Sequence, residues 1–279
     1  MLHKRTEHHQ LRVVDVGGVR SLEFDGHRQS AIRLDDGFAS DIRYTDYLHL
    51  TLALNPDPQR VLVLGLGGGA LPKRMWRDYP GIERIDCVDI DPEIVEIARR
   101  YFELPEDDRL CVHIDDGRHF VQHSAERYDI AAIDAYYADA IPYALATEEF
   151  FRELDARLTD NGVAAYNVIG AVEGWRSRTL RAVYKTMRQV WPHVYVFPVD
   201  LALARDPRRI RNVILLGTRV ALSDRDLAAR VGSRVGGRVT IKRFPLFAED
   251  LYTQRIATRD VPVLMDGTRP PDGLLRLLE

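Results

Sequence analysis

Apolar and polar residues alternate over positions 11–16 and again over 19–24, with Gly17 and Gly18 between the two runs. Alternation with a period of two marks a half-buried strand. Paired glycines accept the positive φ angles of a tight turn, so this stretch predicts a β-hairpin. Asp25-Gly26 marks the next turn and residues 29–34 a third strand. From residue 44 the period lengthens: Tyr47, Leu48, Thr51 and Leu54 share one face of a helix over 44–54, which Asn55-Pro56-Asp57-Pro58 stops.

Beyond that stop, short apolar runs at 61–64, 85–90, 110–114, 130–133 and 163–168 alternate with amphipathic helical stretches, including 70–79 and 173–190. Asp91-Pro92 gives one helix an acceptor side chain at its N-cap and a proline at its first position, where the missing N–H costs nothing. Thr147 caps another, and Glu148 and Glu149 in its first turn suit the helix dipole. Strands at 194–199 and 212–217, joined by a basic loop, and helices at 222–231 and 248–256 complete the pattern. Such alternation calls for a parallel sheet covered on both faces. The expected fold is therefore α/β: a Rossmann-like, doubly wound, mostly parallel seven-stranded sheet with a small N-terminal β domain. Residues 1–55 form the small domain, ending in a linker helix, and 56–279 the main one.

Composition narrows the field of functions. With 46% hydrophobic and 29% charged residues among 279, the chain reads as ordinary and globular, which excludes collagen-like and largely disordered classes. No apolar run approaches the roughly 18 residues needed to cross a bilayer, and residues 1–10 are polar with no apolar segment after them, so no membrane is expected and the cytoplasm is. A net charge of -3 lacks the basic footprint of a nucleic-acid binder; Arg205, Arg208, Arg209 and Arg211 read as a solvated face. Cys87 and Cys111 fall on neighbouring apolar strands and read as inert core thiols.

The chemistry concentrates where strands end. Gly65, Gly67 and Gly69 punctuate a loop between a strand and a helix that opens at Ala70, where the backbone can approach a ligand and free N–H groups face it. With Ala70 the loop also satisfies the dinucleotide pattern, which keeps a nicotinamide cofactor in view. Asp89, 24 residues beyond Gly65, can accept hydrogen bonds from both hydroxyls of a ribose. The third strand ends in Asp115-Asp116-Gly117, where an acid beside a glycine reaches an adenine amino group; a left-handed turn is the rival explanation. The fourth strand ends in Asp134, followed by Ala135-Tyr136-Tyr137.

This ordered set, Gly, Asp, Asp and Asp on successive strand tips, resembles the class I S-adenosylmethionine-dependent transferases, and within them the spermidine synthase family of aminopropyltransferases. The similarity runs from about Gln29 to about Gly170. It implies that Gly65, Gly67, Gly69, Asp89, Asp116 and Gly117 hold the donor nucleoside and that Asp134 is the catalytic aspartate. Tyr44-Thr45-Asp46 stands where the family carries a Tyr, then Gln or His, then Glu. The family also implies a homodimer. Three positions depart from its pattern: the aspartate that holds the donor's aminopropyl group is Gly68, the second aspartate of the catalytic loop is Tyr137, and the Gln or His after the helix tyrosine is Thr45.

The chemistry so implied moves an aminopropyl group from decarboxylated S-adenosylmethionine, a co-substrate and no tightly bound cofactor, to a small-molecule amine in polyamine biosynthesis. Positive charge moves from sulfur to nitrogen during the step, so a carboxylate nearer the nitrogen stabilises the transition state more than the ground state. Asp134 is that carboxylate, orienting the amine and receiving its proton. A second cation on the acceptor would need its own partner, for which Asp139, Asp46 or the faces of Tyr136 and Tyr137 are the candidates. No metal site is expected. A methyltransferase using intact S-adenosylmethionine and a catalytically silent nucleoside-binding scaffold are the alternatives.

Overall fold

A computed structural model describes residues 2–6, 10–137, 140–268 and 274–275. Two sheets organise them. The first is an antiparallel meander of β1 (Leu2–Arg5), β2 (Gln10–Val16), β3 (Val19–Phe24), β4 (His27–Arg33) and β5 (Asp36–Ser40). Its β2–β3 hairpin closes on Gly17 and Gly18, with Val16 opposite Val19, as the alternation predicts. Two strands of this sheet, β1 and β5, carry no legible period and go beyond the sequence reading.

After α1 (Tyr44–Tyr47) and a 3₁₀ turn over Leu48–Ala53, the chain alternates strand and helix. In order come β6 (Arg60–Leu64), α2 (Ala70–Asp78), β7 (Arg84–Asp89), α3 (Pro92–Phe102), β8 (Leu110–Ile114), α4 (Gly117–His123), β9 (Tyr128–Ile133), α5 (Glu148–Asp155), β10 (Leu158–Gly170), α6 (Arg178–Val190), β11 (His193–Pro198), α7 (Leu201–Ala204), β12 (Arg211–Thr218) and α8 (Asp224–Gly232). The seven strands lie in the order β11-β12-β10-β9-β6-β7-β8. The five from β10 to β8 are parallel, and β12 inserts antiparallel between β10 and β11. The doubly wound, mostly parallel sheet of seven strands matches the expectation.

Period-two burial within β6 explains the two faces. Val61 and Val63 join one buried cluster with Met75, Ile94 and Ile97 from α2 and α3, while Leu62 and Leu64 join another with Val121, Phe150 and Leu180 from α4, α5 and α6. The first cluster also takes in Leu11, Leu22 and Ile32 of the small sheet, which therefore shares a core with the large one. Lys73 on α2 ties the two further: its buried ammonium donates to the carbonyls of Gly37 on β5 and Phe102 on α3.

Three helices differ from their predicted form. The one expected over 44–54 is α-helical only over Tyr44–Tyr47 and continues as a 3₁₀ helix over Leu48–Ala53. The helix expected over 173–190 begins at Arg178, because Gly174 adopts φ 77° and the chain makes a 3₁₀ turn over Trp175–Ser177 first. The helix expected over 248–256 is instead a 3₁₀ helix over Phe244–Asp250. Buried Phe244 and Phe247 repeat every three residues, the spacing of a 3₁₀ turn. Asp250 then leaves the helical register to accept from the Tyr47 hydroxyl at 2.5 Å and the Ala202 amide at 2.7 Å. Cys87 is buried as expected, but Cys111 is only half-buried, at the sheet's outer strand β8.

Candidate active site

Register brings the strand tips to one level. Leu64 on β6 pairs with Val88 on β7 and with Ile133 on β9, so Gly65, Asp89 and Asp134 are the next residues on three adjacent strands. The ladder runs on beyond the strand ends: Gly65 N–H donates to Val88, Asp134 N–H to Leu64 and Asp115 N–H to Asp89, at 2.8, 2.8 and 3.1 Å. Gly65 makes this approach possible. Its φ is 94°, and a Cβ there would lie 2.3 Å from the Asp134 carbonyl oxygen.

One cleft runs along these tips, lined by Gly65, Gly67, Asp89, Asp115, Asp116, Gly117 and Asp134, with Tyr44, Thr45, Tyr136 and Tyr137 at the β9 end. Carboxyl ends of strands in an open α/β sheet are where ligands bind. Gly69 does not line it; it lies at the start of α2, against Leu104. Asp46 is also off the cleft, 4.0 Å from Arg74 on α2, and burial raises its carboxyl above the usual range against the pull of Arg74 and Arg43. Asp139 lies outside the described residues.

At the β7 end, the Asp89 carboxylate accepts from the Leu66 amide at 2.9 Å and the Asp91 amide at 3.0 Å. Burial raises its pKa, and these amides oppose the rise. Each carboxylate oxygen has two acceptor sites, so one remains on each for a hydroxyl pair. Asp116 caps α4, with one oxygen accepting from the amides of Arg118 and His119 at 2.9 Å each. Its backbone is extended and Gly117 has no positive φ, so a left-handed turn does not account for this pair. A Cβ on Gly117 would meet only ordinary contacts, the nearest at 3.7 Å to Leu145 and Leu64, so the fold itself leaves room for a side chain there.

At the β9 end, Asp134 is held from both sides. The Tyr44 hydroxyl donates to Oδ2 at 3.0 Å and the Asn167 amide to Oδ1 at 2.8 Å. Asn212 donates in turn to Asn167 Oδ1 at 3.0 Å, which fixes the orientation of the Asn167 amide. Burial raises the Asp134 pKa to about 6, and the Asn167 and Tyr44 hydrogen bonds limit the rise. Burial and the neighbouring carboxylate hold the Tyr44 phenol well above its ordinary value, so it stays a donor. The Tyr136 hydroxyl donates to the Asn167 carbonyl at 2.5 Å and accepts from the Ile169 amide at 3.2 Å.

Sequence reasoning missed several members of this site. Asn167 had a readable signal: an amide inside the apolar run Val163–Val168 needs a buried partner. Asn212, at the start of its strand, had none. Phe24, Gln29 and Ser30 reach the cleft from the small sheet, a long-range placement that no local pattern announces. Ser30 Oγ accepts from the Gly68 amide at 2.8 Å. A Cβ on Gly68 would lie 2.8 Å from the Phe102 ring and 3.0 Å from Ser30 Cβ, so the position has no room for a side chain.

Comparison of the sequence with known proteins points to one family, and comparison of the structure to a wider fold. The family model described as the spermine/spermidine synthase domain matches residues 42–200. A polyamine aminopropyltransferase of Vibrio vulnificus (strain CMCP6) is 34% identical over 149 residues, 50% of this chain and 50% of that protein. The chain thus spans about half the length of the curated relatives it matches. Among solved structures, a probable spermidine synthase from Corynebacterium glutamicum ATCC 13032 aligns with a TM-score of 0.73 and 19% identity, over 93% of this chain and 98% of that one, a likeness of fold. Human methyltransferase-like protein 13, solved in complex with SAH, aligns with a TM-score of 0.55 and 26% identity over 67% of this chain and 88% of its own.

Proposed function

We propose, since this chain belongs to the spermine/spermidine synthase family, that it is an aminopropyltransferase that moves the aminopropyl group of decarboxylated S-adenosylmethionine onto a small amine in polyamine biosynthesis. One observation supports this above others: Asp134, fixed by Tyr44 and Asn167, faces the same cleft as Asp89 and Asp116. The ribose hydroxyls bind Asp89, and the adenine lies by Asp116 and Gly117. The sulfonium then lies over Gly65 and Gly67, within reach of Asp134.

The acceptor's neutral nitrogen attacks the carbon attached to the sulfonium. A C–N bond forms, the C–S bond breaks, and its electron pair stays on sulfur, releasing methylthioadenosine. Asp134 holds the amine in line, stabilises the ammonium as it forms, and takes the proton. Both of its oxygens already accept one donor, so the carboxylate cannot rotate away.

Among the described residues lining the cleft there is no Lys, Arg or His. An intact donor would bring a carboxylate into a cleft with no cationic side chain, which favours the decarboxylated form over methyl transfer. Gln29 and Ser30 offer oxygens to the donor's primary ammonium, the group for which Gly68 provides no side chain. The proposal includes a homodimer, formed through the edge of β1 with which no other described strand than β2 pairs, and a cytoplasmic location, which two unpaired cysteines among the described residues favour. No described helix is long and apolar enough to cross a membrane. It also keeps the division into an N-terminal β unit over 1–55 and a transferase unit over 56–279.

Isothermal titration with decarboxylated S-adenosylmethionine, the intact form, methylthioadenosine and NAD tests this. The decarboxylated form and methylthioadenosine are expected to bind, and Asp89→Ala to weaken both. Tighter binding of the intact form would favour methylation, and no nucleoside binding would contradict the transferase and the nucleoside-binding scaffold readings alike.

A further inference from the structure

Well beyond Asp250, the chain returns to the nucleoside end of the cleft and passes behind its wall. Val261 and Leu264 are buried in the cluster on the α4, α5 and α6 face of the large sheet. The Leu264 amide donates to the Thr186 hydroxyl on α6 at 3.0 Å, and its carbonyl accepts from the Glu148 amide at the start of α5 at 2.8 Å. None of residues 261–268 lines the cleft.

From that anchor the segment holds two parts of the wall. The Asp266 carboxylate takes both arms of the Arg118 guanidinium, at 2.8 and 2.6 Å, while Glu153 on α5 pairs with Arg118 at 2.8 Å. A two-pronged pair of this kind fixes direction as well as distance. Arg118 opens α4, and its own amide donates to the cap Asp116 at 2.9 Å. The second hold is on Tyr143. Its hydroxyl donates to the Met265 carbonyl at 2.8 Å and lies 2.9 Å from the Thr268 hydroxyl, which donates to the same carbonyl at 2.7 Å. Tyr143 starts a single 3₁₀ turn, Tyr143–Leu145, whose residues line the cleft together with Pro142. Leu145 in turn lies 3.7 Å from the place of a Cβ on Gly117. One 3₁₀ turn has little stiffness of its own, so its direction depends on what it is tied to.

Resting on the reading of this cleft as a nucleoside site, we infer that residues 264–268 form a strap that sets the shape of its adenine end, with Tyr143 and Asp266 as positioning residues. Tyr143 ties the 143–145 turn to the strap, and Asp266 ties the start of α4, with Asp116 and Gly117, to the same five residues. Releasing either tie lowers donor affinity by loosening the wall and leaves the chemical step at Asp134 to proceed. A segment that only stabilised the fold would lower Tm and the amount of active protein, without changing the affinity of the molecules that remain folded.

Titration of the full-length protein with methylthioadenosine is expected to give a Kd raised about three- to tenfold in Tyr143→Phe and in Asp266→Asn, the worth of a hydrogen bond that pre-organises the wall. In turnover, KM for decarboxylated S-adenosylmethionine is expected to rise by a similar factor, with kcat changing far less. Because both ties act through one strap, the double variant is expected to lose less than the product of the two single losses. Coupling is reciprocal, so in the natural chain methylthioadenosine is expected to slow hydrogen exchange at the amides of 264–268, which it does not touch. Unchanged affinity in both variants, losses that multiply in the double variant, or exchange at 264–268 that ignores the ligand would each overturn the inference and leave aminopropyl transfer standing. Should a variant fail to fold, exchange in the natural chain decides. A natural chain that binds no methylthioadenosine would instead overturn the nucleoside reading itself.

Discussion

Burial and hydrogen bonding pull the Asp134 carboxyl in opposite directions, and burial prevails by enough to bring its pKa to about 6. The ionised form is the one that stabilises a developing ammonium, so the rate of transfer at saturating donor is expected to fall below about pH 6, well above the limb of an unperturbed aspartate near 3.9. Asn167→Ala removes a donor to the ionised form; the acid limb is then expected to move toward neutral pH, and an unmoved limb would remove Asn167 from a positioning role. Stability runs the opposite way with pH. The native chain holds the Asp134 proton more tightly than the unfolded one, so burial costs little below about pH 4 and increasingly more as pH rises through about 6. At 1.36 kcal/mol per unit the cost reaches at most about 3 kcal/mol. Asp134→Asn is therefore expected to raise Tm at pH 8 and not at pH 4 while abolishing turnover, as thermal denaturation at the two values would reveal. Asp134 and Asp89 were legible in the sequence because each follows an apolar strand. Ser30 and Gln29 in the cleft, and Asn212 behind Asn167, were not, because their parts depend on how distant strands pair and pack.

The loop between β6 and α2 looks in the sequence like a ligand cradle alone, yet packing also demands its glycines. Gly65 lets the β6 and β9 tips touch, and Gly68 lies against Phe102 and Ser30. Replacing Gly68 by Asp is thus expected to destabilise the fold by about 1–3 kcal/mol through overpacking, with no gain in donor affinity. Calorimetric scanning and titration of that variant would check both, and tighter donor binding at unchanged Tm would contradict the packing argument. Elements with a strong period and a cap were readable to within a residue or two, as for β8 and for α3 behind Asp91. Those whose bounds depend on a partner were not. The start of α6 is delayed by the Gly174 turn, and the segment after Asp250 lies along β11, where the Tyr252 amide donates to the Val196 carbonyl at 2.9 Å.

Because both sheets share a core and both line the cleft, a ligand there couples to the folding of the whole chain. Methylthioadenosine at a hundred times its Kd is expected to add about 2.7 kcal/mol, a rise in Tm of about 5–10 °C, and the rise is expected to be mostly lost in Asp89→Ala. A shift of equal size in that variant would remove Asp89 from the ribose site. The central claim, that the row of strand tips holds an adenosyl sulfonium with its aminopropyl carbon beside Asp134, is tested most directly by one comparison. Purified protein is mixed with decarboxylated S-adenosylmethionine and an amine, and methylthioadenosine is quantified over time for the natural chain and for Asp134→Asn. The natural chain is expected to release it in step with the aminopropylated amine, and the variant to release at least a hundredfold less while binding the nucleoside within several-fold of normal affinity. Equal release from both chains would contradict the account.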